Sequence, residues 1–251
     1  MVREIERAVE TPRPCTYLED EVASLEHRVL LDVGADEYDA MLARGWRRFG
    51  PDYFRPACAA CDQCEPTRIV LADLAPTRSQ RRALARTAHL EVEVGVPTID
   101  AERLHLYRRW HATREVSREW APSRMDARLY RLEFAFPHPC AREVSYREHG
   151  RLVGVGICDE TPTAWSAVYF YFDPSCARMS LGIANVLRTC AIAKARGARW
   201  VYLGYHVARC RSLAYKAGFS PQEILVGRPA DDEPPAWRTR ATPLSSRPPA
   251  G

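Results

Sequence analysis

The amino-acid sequence predicts a mixed α/β fold, in which an N-terminal cysteine-cluster domain precedes a larger α/β core. In the second half of the chain, segments rich in β-branched and aromatic residues alternate with segments of helical periodicity. Residues 46–66 are instead rich in aromatic, proline and cysteine residues and show no sustained period. Apolar residues make up 46% of the chain and charged residues 27%, which is typical of a globular protein with a buried core.

The N-terminal domain is predicted to span residues 1–75. Residues 23–31 alternate in part between apolar and polar types, which predicts a strand. A short helix is expected over residues 37–44, because Asp36 is a suitable cap and Gly45 a suitable end. This domain therefore begins with regular structure and continues into the cysteine-rich segment.

The main domain is predicted to span residues 76–228, and a disordered tail without an apolar pattern is expected at residues 229–251. His149 and Gly150 predict a hairpin turn between two strands, and Ser180 is expected to cap a helix. In chain order, the predicted elements are helix 78–89, strand 90–94, helix 100–115, strands 143–147, 152–158 and 164–172, helix 180–196, strand 200–205, helix 209–217 and strand 223–226. This order is typical of an α/β acyltransferase core.

The hydropathy of the sequence indicates in which compartment of the cell the protein is located. No run of 18 apolar residues exists, so the sequence predicts no membrane-spanning helix. Residues 1–10 alternate acidic and basic side chains without an apolar core, which is not the pattern of a signal peptide. We therefore expect a cytoplasmic protein without a membrane partner.

The distribution of charge is more informative than the net charge of +4. The first 75 residues carry more acidic than basic side chains, and the segment that follows reverses this balance. Such an asymmetry predicts one face that meets a polyanion, although a solvated helix face would produce the same pattern. Arginines at helical spacing are the candidate contacts to such a polyanion, for example a nucleic acid: Arg78, Arg81, Arg82 and Arg86 in one helix, and Arg108 and Arg109 in the next.

Three cysteines form the sharpest local motif. Cys58, Cys61 and Cys64 are spaced as two overlapping C-x-x-C units, which is a spacing that allows one loop to bind a metal ion or cluster. Cys15 is the only other cysteine of this domain and is the expected fourth ligand. The spacing suits zinc and also an iron–sulfur cluster, and free thiols are the remaining alternative. A site with four thiolates has no open position, so we expect a role in folding or redox sensing.

Motifs in both halves together resemble those of the arginyl/leucyl-tRNA–protein transferase family. In the N-terminal half they are Pro14–Leu18, Gly45–Gly50, Tyr53–Pro56, the three cysteines and Pro66–Arg68. In the C-terminal half they are Phe172–Pro174, Ser180–Gly182, Tyr202–Tyr205, Cys210, Tyr215–Lys216 and Phe219–Pro221. The resemblance covers residues 12–226, and the short chain is similar to the bacterial branch, whose donor is usually leucyl-tRNA.

The resemblance implies a fold and a reaction. The fold would be a GNAT-like acyltransferase core that takes aminoacyl-tRNA in place of acetyl-CoA. The acceptor would be the α-amine of a protein that begins with Asp or Glu, and the added residue would mark that protein for degradation. Leucine is the expected donor residue, with arginine as the alternative.

The reaction is the aminolysis of an ester, so it requires a neutral amine held near the ester carbonyl and a stabilised oxyanion. The candidate catalytic residues are Asp173, Tyr171, Tyr205 and Lys216, and the candidate substrate-binding residues are Ser180, Tyr169, His206 and Tyr215. Asp173 would hold the attacking ammonium group and accept its proton, unless it only begins a turn. Lys216 would bind the acidic side chain of the acceptor or a tRNA phosphate, unless it is an ordinary surface lysine.

Two other functions fit parts of the sequence. A CoA-dependent N-acetyltransferase would use the same core, but Met179 stands where the pyrophosphate loop of those enzymes has Arg or Gln. A non-catalytic RNA-binding or redox-sensing protein would use the cysteine motif and the basic segment equally well. Such a protein has no evident need for Tyr171, Asp173, Tyr205 and Lys216, so a transferase is the favoured prediction.

Overall fold

The computed structural model describes residues 2–118 and 120–241. Its helices are α1 (Ala35–Ala43), α2 (Arg78–Arg86), α3 (Ala101–Arg118), α4 (Ala127–Glu133) and α5 (Leu181–Ala195). Its strands are β1 (Arg3–Val9), β2 (Arg13–Pro14), β3 (Val22–Ala23), β4 (Leu25–Leu31), β5 (Arg47–Phe49), β6 (Asp52–Pro56), β7 (Glu65–Val70), β8 (Glu91–Gly95), β9 (Ala141–Glu148), β10 (Arg151–Glu160), β11 (Ala164–Phe172), β12 (Trp200–His206), β13 (Gln222–Leu225) and β14 (Trp237–Thr239). Two 3₁₀ turns cover Pro174–Met179 and Ala214–Gly218.

An eight-stranded sheet forms the centre of the molecule, in the order β14-β13-β7-β12-β11-β10-β9-β8. Among the strands described, β11 and β12 are the one parallel pair of this sheet. Helix α5 connects them, as a parallel crossover requires. The prediction of a mixed α/β fold is confirmed.

Helices cover both faces of this sheet. Helices α2 and α5 pack on one face against a core that contains Val144, Trp165 and Val201. Helices α3 and α4 pack on the other face around Tyr130 and Tyr171. A capping box fixes the start of α2, in which the Thr77 side chain accepts from the Gln80 amide and the Gln80 side chain accepts from the Thr77 amide. The sheet is therefore a central layer between two helical layers.

The N-terminal segment builds a second, four-stranded sheet, in the order β1-β4-β6-β5, and packs against the main one. Its interface contains a buried polar cluster, in which the Asp159 carboxylate of β10 pairs with Arg48 and accepts a 2.9 Å hydrogen bond from Tyr38. Strand β7 (Glu65–Val70) precedes the predicted boundary at residue 75, yet it lies inside the main sheet, between β12 and β13. The N-terminal segment thus contributes a strand to the core of its neighbour.

Several local predictions can be compared with the structure. The hairpin between β9 and β10 is confirmed, because His149 and Gly150 adopt φ values of 50° and 78°, as a tight hairpin turn needs. The helix predicted over 209–217 is wrong, since only a 3₁₀ turn forms there, at Ala214–Gly218. Disorder from residue 229 is also wrong for the described part of the tail, and residues 242–251 lie outside the described residues.

The tail is ordered because its tryptophan packs on the sheet. Strand β14 pairs with β13, and the Trp237 ring lies 5.6 Å from the Tyr202 ring, centroid to centroid. The Arg68 guanidinium sits 4.1 Å above the Trp237 ring. A cation over an indole ring adds about 0.5–2 kcal/mol to the stabilisation that apolar burial provides. The contacts of one aromatic residue thus stabilise a tail whose composition is otherwise polar.

Candidate active site

A gap opens in the main sheet where its two parallel strands separate. Strands β11 and β12 pair only over Ala164–Ser166 and Trp200–Tyr202. Beyond this point β11 follows β10 and β12 follows β7. Ligands of α/β sheets bind at the carboxyl ends of strands that diverge in this way. The gap is therefore the candidate active site.

Gly204 lies on the β12 side of this gap, at a bulge in the ladder with β7. Its φ of +76° favours glycine, and it is partly exposed although its neighbours are buried. A Cβ placed on Gly204 would lie 3.5 Å from Nζ of Lys216 and 4.0 Å from Nε of Arg47. Gly204 therefore lies within van der Waals range of two cationic groups, which border the narrow space beside it.

The Arg47 guanidinium enters this space from β5. Its side chain is only 6% exposed and lies over the rings of Tyr202 and Tyr205, at 5.1 and 5.7 Å from their centroids. Nη1 donates to the carbonyl oxygen of Trp46 at 2.5 Å. Nε and Nη2 are buried and have no hydrogen-bond partner among the described residues. A charged group left in this state costs free energy, which a ligand would recover.

Lys216 reaches the same space from the 3₁₀ turn that follows β12. Its ammonium group donates to the carbonyl oxygen of Tyr205 at 2.9 Å. Burial, followed by the neighbouring Arg47 charge, lowers the pKa of Lys216 to about 7. Within residues 2–118 and 120–241, no carboxylate forms an ion pair with either cation. The space is positively charged and is suited to an anionic group.

The lowered pKa of Lys216 predicts a pH dependence of stability. The lysine titrates near pH 7 in the folded protein and near 10.5 when unfolded, so the unfolded state binds more protons between these values. The charged form of Lys216 therefore destabilises the folded protein to its full extent below pH 7, and this destabilisation disappears as the pH rises towards 10.5. The titratable groups that face Lys216 are Arg47, Cys210 and Cys64. Lys216→Met should therefore be more stable than the natural protein at pH 7, by a margin that shrinks towards pH 10. Urea unfolding of both proteins across this range measures the margin, and a margin independent of pH contradicts the prediction.

Comparison with known families identifies the chain. A family described as "Arginine-tRNA-protein transferase, N terminus" matches residues 13–82, and its counterpart described as "Arginine-tRNA-protein transferase, C terminus" matches residues 102–226. The chain belongs to the arginine-tRNA-protein transferase family. The predicted family and enzyme class are thereby confirmed, and the function is tRNA-dependent aminoacyl transfer to proteins.

Relatives match over nearly their whole length. An aspartate/glutamate leucyltransferase of Chromohalobacter salexigens is 35% identical over 234 residues, which cover 91% of this chain and 93% of the relative. The enzyme of the same name from Pseudomonas aeruginosa is 35% identical over 86% of this chain and 92% of its own length. Among solved structures, FemX aligns over 79% of both chains with 8% identity and a TM-score of 0.44.

The predicted site residues of the transferase divide into two groups around the gap. Lys216 and the backbone of Tyr205 meet directly, as described above. The Tyr205 hydroxyl points away from the gap and donates to the carbonyl oxygens of Gly45 and Phe54, at 2.9 and 3.3 Å. This side chain holds the N-terminal segment against β12. Its contacts favour a structural role over a catalytic one.

His206 and Tyr215 lie near Lys216 in sequence but differ in surroundings. Nδ1 of His206 is 3.0 Å from a carboxylate oxygen of Glu65, and Arg240 bonds to the same carboxylate. The imidazole is buried in this ion-pair cluster. The Tyr215 ring is exposed to 47% on the other side of the 3₁₀ turn. Of the two, only Tyr215 is accessible to a substrate, and binding by either stays a prediction.

The tyrosines of β11 are packed under helix α3. The hydroxyl oxygens of Tyr171 and Tyr130 lie 2.5 Å apart in a fully buried aromatic cluster, and burial raises the pKa of Tyr171 far above its usual range. Tyr169 is stacked on Phe134 at 5.1 Å and is only partly buried. Tyr171 is therefore placed as a packing residue, whereas Tyr169 is partly accessible and stands on the part of β11 that no longer pairs with β12.

Asp173 begins the 3₁₀ turn after β11 and is already saturated with hydrogen bonds. Its carboxylate accepts from the amide and hydroxyl of Ser175 and pairs with Arg109 and Arg151. Burial opposes ionisation, yet these hydrogen bonds and charges together lower the pKa of Asp173 to about 2. A carboxylate with so low a pKa is a weak proton acceptor at neutral pH. Its contacts favour an anchoring role for Asp173.

The start of α5 corrects one prediction and brings two predicted regions together. Ser180 adopts a left-handed φ of 57° and its side chain makes no capping hydrogen bond, so the predicted cap is wrong. Its hydroxyl instead accepts from Arg86, at 3.2 Å. Together with the Arg109–Asp173 pair, this contact places two candidate tRNA-binding arginines at the two ends of the 3₁₀ turn that precedes α5. The remaining candidates, Arg78, Arg81, Arg82 and Arg108, are exposed, as contact with tRNA requires.

Three of the four cysteines of the predicted metal site, Cys58, Cys61 and Cys64, line a cleft of about 620 Å³. Cys15 packs with Cys64 in a small apolar cluster. No three potential ligand side chains converge within the described residues. Burial, followed by the neighbouring thiols, raises the pKa of Cys64 to about 12. Four thiols are suitable donors for a metal, but their side chains would have to rotate to converge on one.

Arg47 and Gly204 are site residues that sequence reasoning did not select. Both stand in motifs that carried the family resemblance, but neither had a feature that distinguished it from its neighbours. Two adjacent arginines in a strand with aromatic residues could have indicated this site from the sequence. If both guanidinium groups are buried, each of them needs an anionic partner. Arg48 has a carboxylate and Arg47 has none among the described residues, which only the coordinates reveal.

Proposed function

We propose that this transferase moves leucine from leucyl-tRNA to the α-amino group of proteins that begin with Asp or Glu, in the cytoplasm. The observation that carries the proposal is the end-to-end similarity to aspartate/glutamate leucyltransferases, at 30–35% identity over 85–91% of the chain. The positively charged space at the gap supports an acidic acceptor. None of the described helices is long and apolar enough to cross a membrane.

The reaction joins two substrates without a covalent enzyme intermediate. The neutral α-amine attacks the ester carbonyl carbon, the new C–N bond forms, and the C–O bond to the tRNA ribose breaks. The amine loses one proton, and the ribose oxygen gains one as it leaves. Holding both substrates in the gap supplies much of the rate, because well-oriented reactants gain about 7–11 kcal/mol from proximity. We assign the acceptor to the β12 side, where Lys216 lies, and the tRNA to the arginines of α2 and α3.

A donor and acceptor assay tests the proposal. The purified protein is incubated with leucyl-tRNA, arginyl-tRNA or acetyl-CoA and with peptides that differ only in their first residue: Asp, Glu, Asn or Gln. We expect leucine transfer to the Asp and Glu peptides. Transfer from arginyl-tRNA alone would change the donor, acetylation would point to a conventional acetyltransferase, and inactivity with every donor would overturn the proposal.

We further propose that Cys15, Cys58, Cys61 and Cys64 bind zinc or an iron–sulfur cluster that stabilises the N-terminal segment. The carbonyl oxygens of Cys58 and Cys61 accept hydrogen bonds from Arg228, at 2.8 and 2.7 Å, which fixes the backbone of this loop. Metal analysis of anaerobically purified protein checks the proposal. Stoichiometric zinc or iron that is lost in Cys61→Ser supports it, and the absence of both metals contradicts it.

A further inference from the structure

Five aromatic rings meet on the part of β11 that no longer pairs with β12. The ring at their centre is that of Tyr169, which lies 5.1 Å from Phe134, 5.8 Å from Trp110, 6.0 Å from Tyr107 and 6.4 Å from Phe49, centroid to centroid. Tyr107, Trp110 and Phe134 are buried, whereas Tyr169 and Phe49 are partly exposed. The cluster therefore offers accessible aromatic surface beside the strand that borders the gap.

One carboxylate beside these rings has no partner. Glu133 ends α4, directly before Phe134, and is partly exposed. Its side chain forms no ion pair or hydrogen bond within residues 2–118 and 120–241, and burial alone raises its pKa. The nearby Glu115 differs, because His111 lies 2.8 Å from its carboxylate and the Ser123 amide donates to it at 2.9 Å. The fold therefore satisfies one of these two carboxylates and leaves the other free.

The free carboxylate lies close to the accessible ring. Burial, followed by the neighbouring Tyr107 and Glu133, raises the pKa of Tyr169, so the Glu133 charge acts directly on this hydroxyl. A partly buried carboxylate without a counter-charge is unfavourable in the free protein and becomes favourable when a cation binds. Aromatic faces also attract cations, and ammonium groups in particular. Glu133 and the rings together are suited to an ammonium group with an apolar neighbour.

The reaction determines which substrate supplies that ammonium group. The α-amine of the acceptor must be neutral when it attacks, so a site that stabilises its charged form would oppose the reaction. The amino acid esterified to the tRNA keeps its own α-amine, which does not react and can stay charged. In leucyl-tRNA this ammonium group is attached next to an apolar side chain. The donor therefore matches both the carboxylate and the rings.

The position of the cluster agrees with the arginines assigned to tRNA. Arg109, one of these arginines, directly precedes Trp110 on α3. Its guanidinium lies 3.2 Å from the carboxylate of Asp173, which follows β11. A tRNA bound along α3 would thus bring its aminoacyl end to the same helix and strand that carry the aromatic rings. The acceptor, assigned to Lys216, approaches from the β12 side.

We propose that Glu133 and the aromatic cluster around Tyr169 bind the aminoacyl residue of the donor, with Glu133 holding its α-ammonium group and the rings its side chain. The inference rests on the proposed function, because that function provides an aminoacyl-tRNA donor. It adds a requirement for a free α-amine on that donor. A peptidyl-tRNA, whose α-amine is acylated, would leave Glu133 uncompensated and is therefore rejected.

Donor binding tests this site without acceptor or turnover. The full-length protein is titrated at about pH 6.5, below the usual pKa of an α-amine, with leucyl-tRNA or with the same tRNA carrying the α-hydroxy analogue of leucine. The two ligands have the same shape and differ in the ammonium charge. We expect the natural protein to bind leucyl-tRNA about tenfold more tightly, the combined effect of one partly exposed charge pair and a cation beside an aromatic ring.

Three variants assign this preference to the residues of the site. Glu133→Gln keeps the size of the side chain and should reduce the preference to less than about twofold. Tyr169→Leu removes the central ring and should reduce it by about threefold. Glu93→Gln is the matched control, because Glu93 is exposed on the edge strand β8, and it should leave the preference unchanged. Circular dichroism and thermal melting establish that each variant is folded.

The outcomes separate this inference from the proposed function. Equal binding of both tRNAs by the natural protein overturns the site, even if leucine transfer occurs. A preference that persists in folded Glu133→Gln protein also overturns it, because another group then binds the ammonium. A preference that Glu133→Gln abolishes supports the site. If this result appears only with arginyl-tRNA and its α-hydroxy analogue, the site is supported and the proposal of leucine as donor fails.

Discussion

Lys216→Ala is expected to lower kcat/KM for transfer to an Asp-initiated peptide by about a hundredfold, because it removes the cation that we assign to the acidic acceptor, and loss of one partner of such a charge pair costs about 2–5 kcal/mol. The melting temperature should stay the same or rise, since burial lowers the pKa of this lysine and its charged form destabilises the fold at neutral pH. A loss of activity without a loss of stability is the signature of a functional side chain.

Steady-state transfer assays and thermal melting measure the two effects on the same preparation. Lys194→Ala is the matched control, because it removes the other lysine of the chain from an exposed position on α5. The control should retain full activity. Unchanged kinetics in Lys216→Ala would remove Lys216 from the active site, and a large fall in its melting temperature would make it a structural residue.

Asp159→Leu is expected to destabilise the fold by about 3–5 kcal/mol, the usual cost of leaving a buried charge without its partner. Asp159 is fully buried, where it pairs with Arg48 and accepts the Tyr38 hydroxyl. Since Arg48 and Tyr38 belong to the N-terminal segment and Asp159 to the main sheet, the loss should weaken the contact between the two sheets.

Guanidinium unfolding followed by tryptophan fluorescence measures this change. The double variant Asp159→Leu/Arg48→Met is the informative control, because it leaves no unpaired charge and should recover part of the lost stability. A double variant that is as unstable as the sum of both single variants would show that Asp159 and Arg48 act independently. A single variant of natural stability would contradict the structural role of the cluster.

The features that the sequence predicted well depend on residues close together in the chain. The hairpin at His149 and Gly150 follows from turn chemistry, and helix α5 follows from its apolar period and from Gly197 after its end. The family follows from short motifs such as Pro14–Leu18 and Phe172–Pro174, whose residues are neighbours in sequence. Local interactions leave a pattern in the sequence that does not depend on the rest of the fold.

Two residues show where local reasoning ends. The polar composition of the tail predicts disorder, but Trp237 packs on Tyr202 and Arg68, which are distant in sequence. The position of Asp173 at the end of a strand predicts a base. Hydrogen bonds from Ser175, together with Arg151 of β10 and Arg109 of α3, outweigh the effect of burial and lower its pKa to about 2. In both cases contacts that a local pattern does not reveal determine the surroundings of the residue.

The sequence by itself determined the α/β class, the family and the chemistry of the reaction, because each of these depends on residue types and their spacing. The tertiary structure decided which charges face one another. Arg47 and Arg48 are adjacent in sequence, yet β5 directs one to Asp159 and the other to the space above Gly204. Successive side chains of a strand point to opposite faces, so only the packing of both sheets determines which of two neighbouring arginines meets a carboxylate.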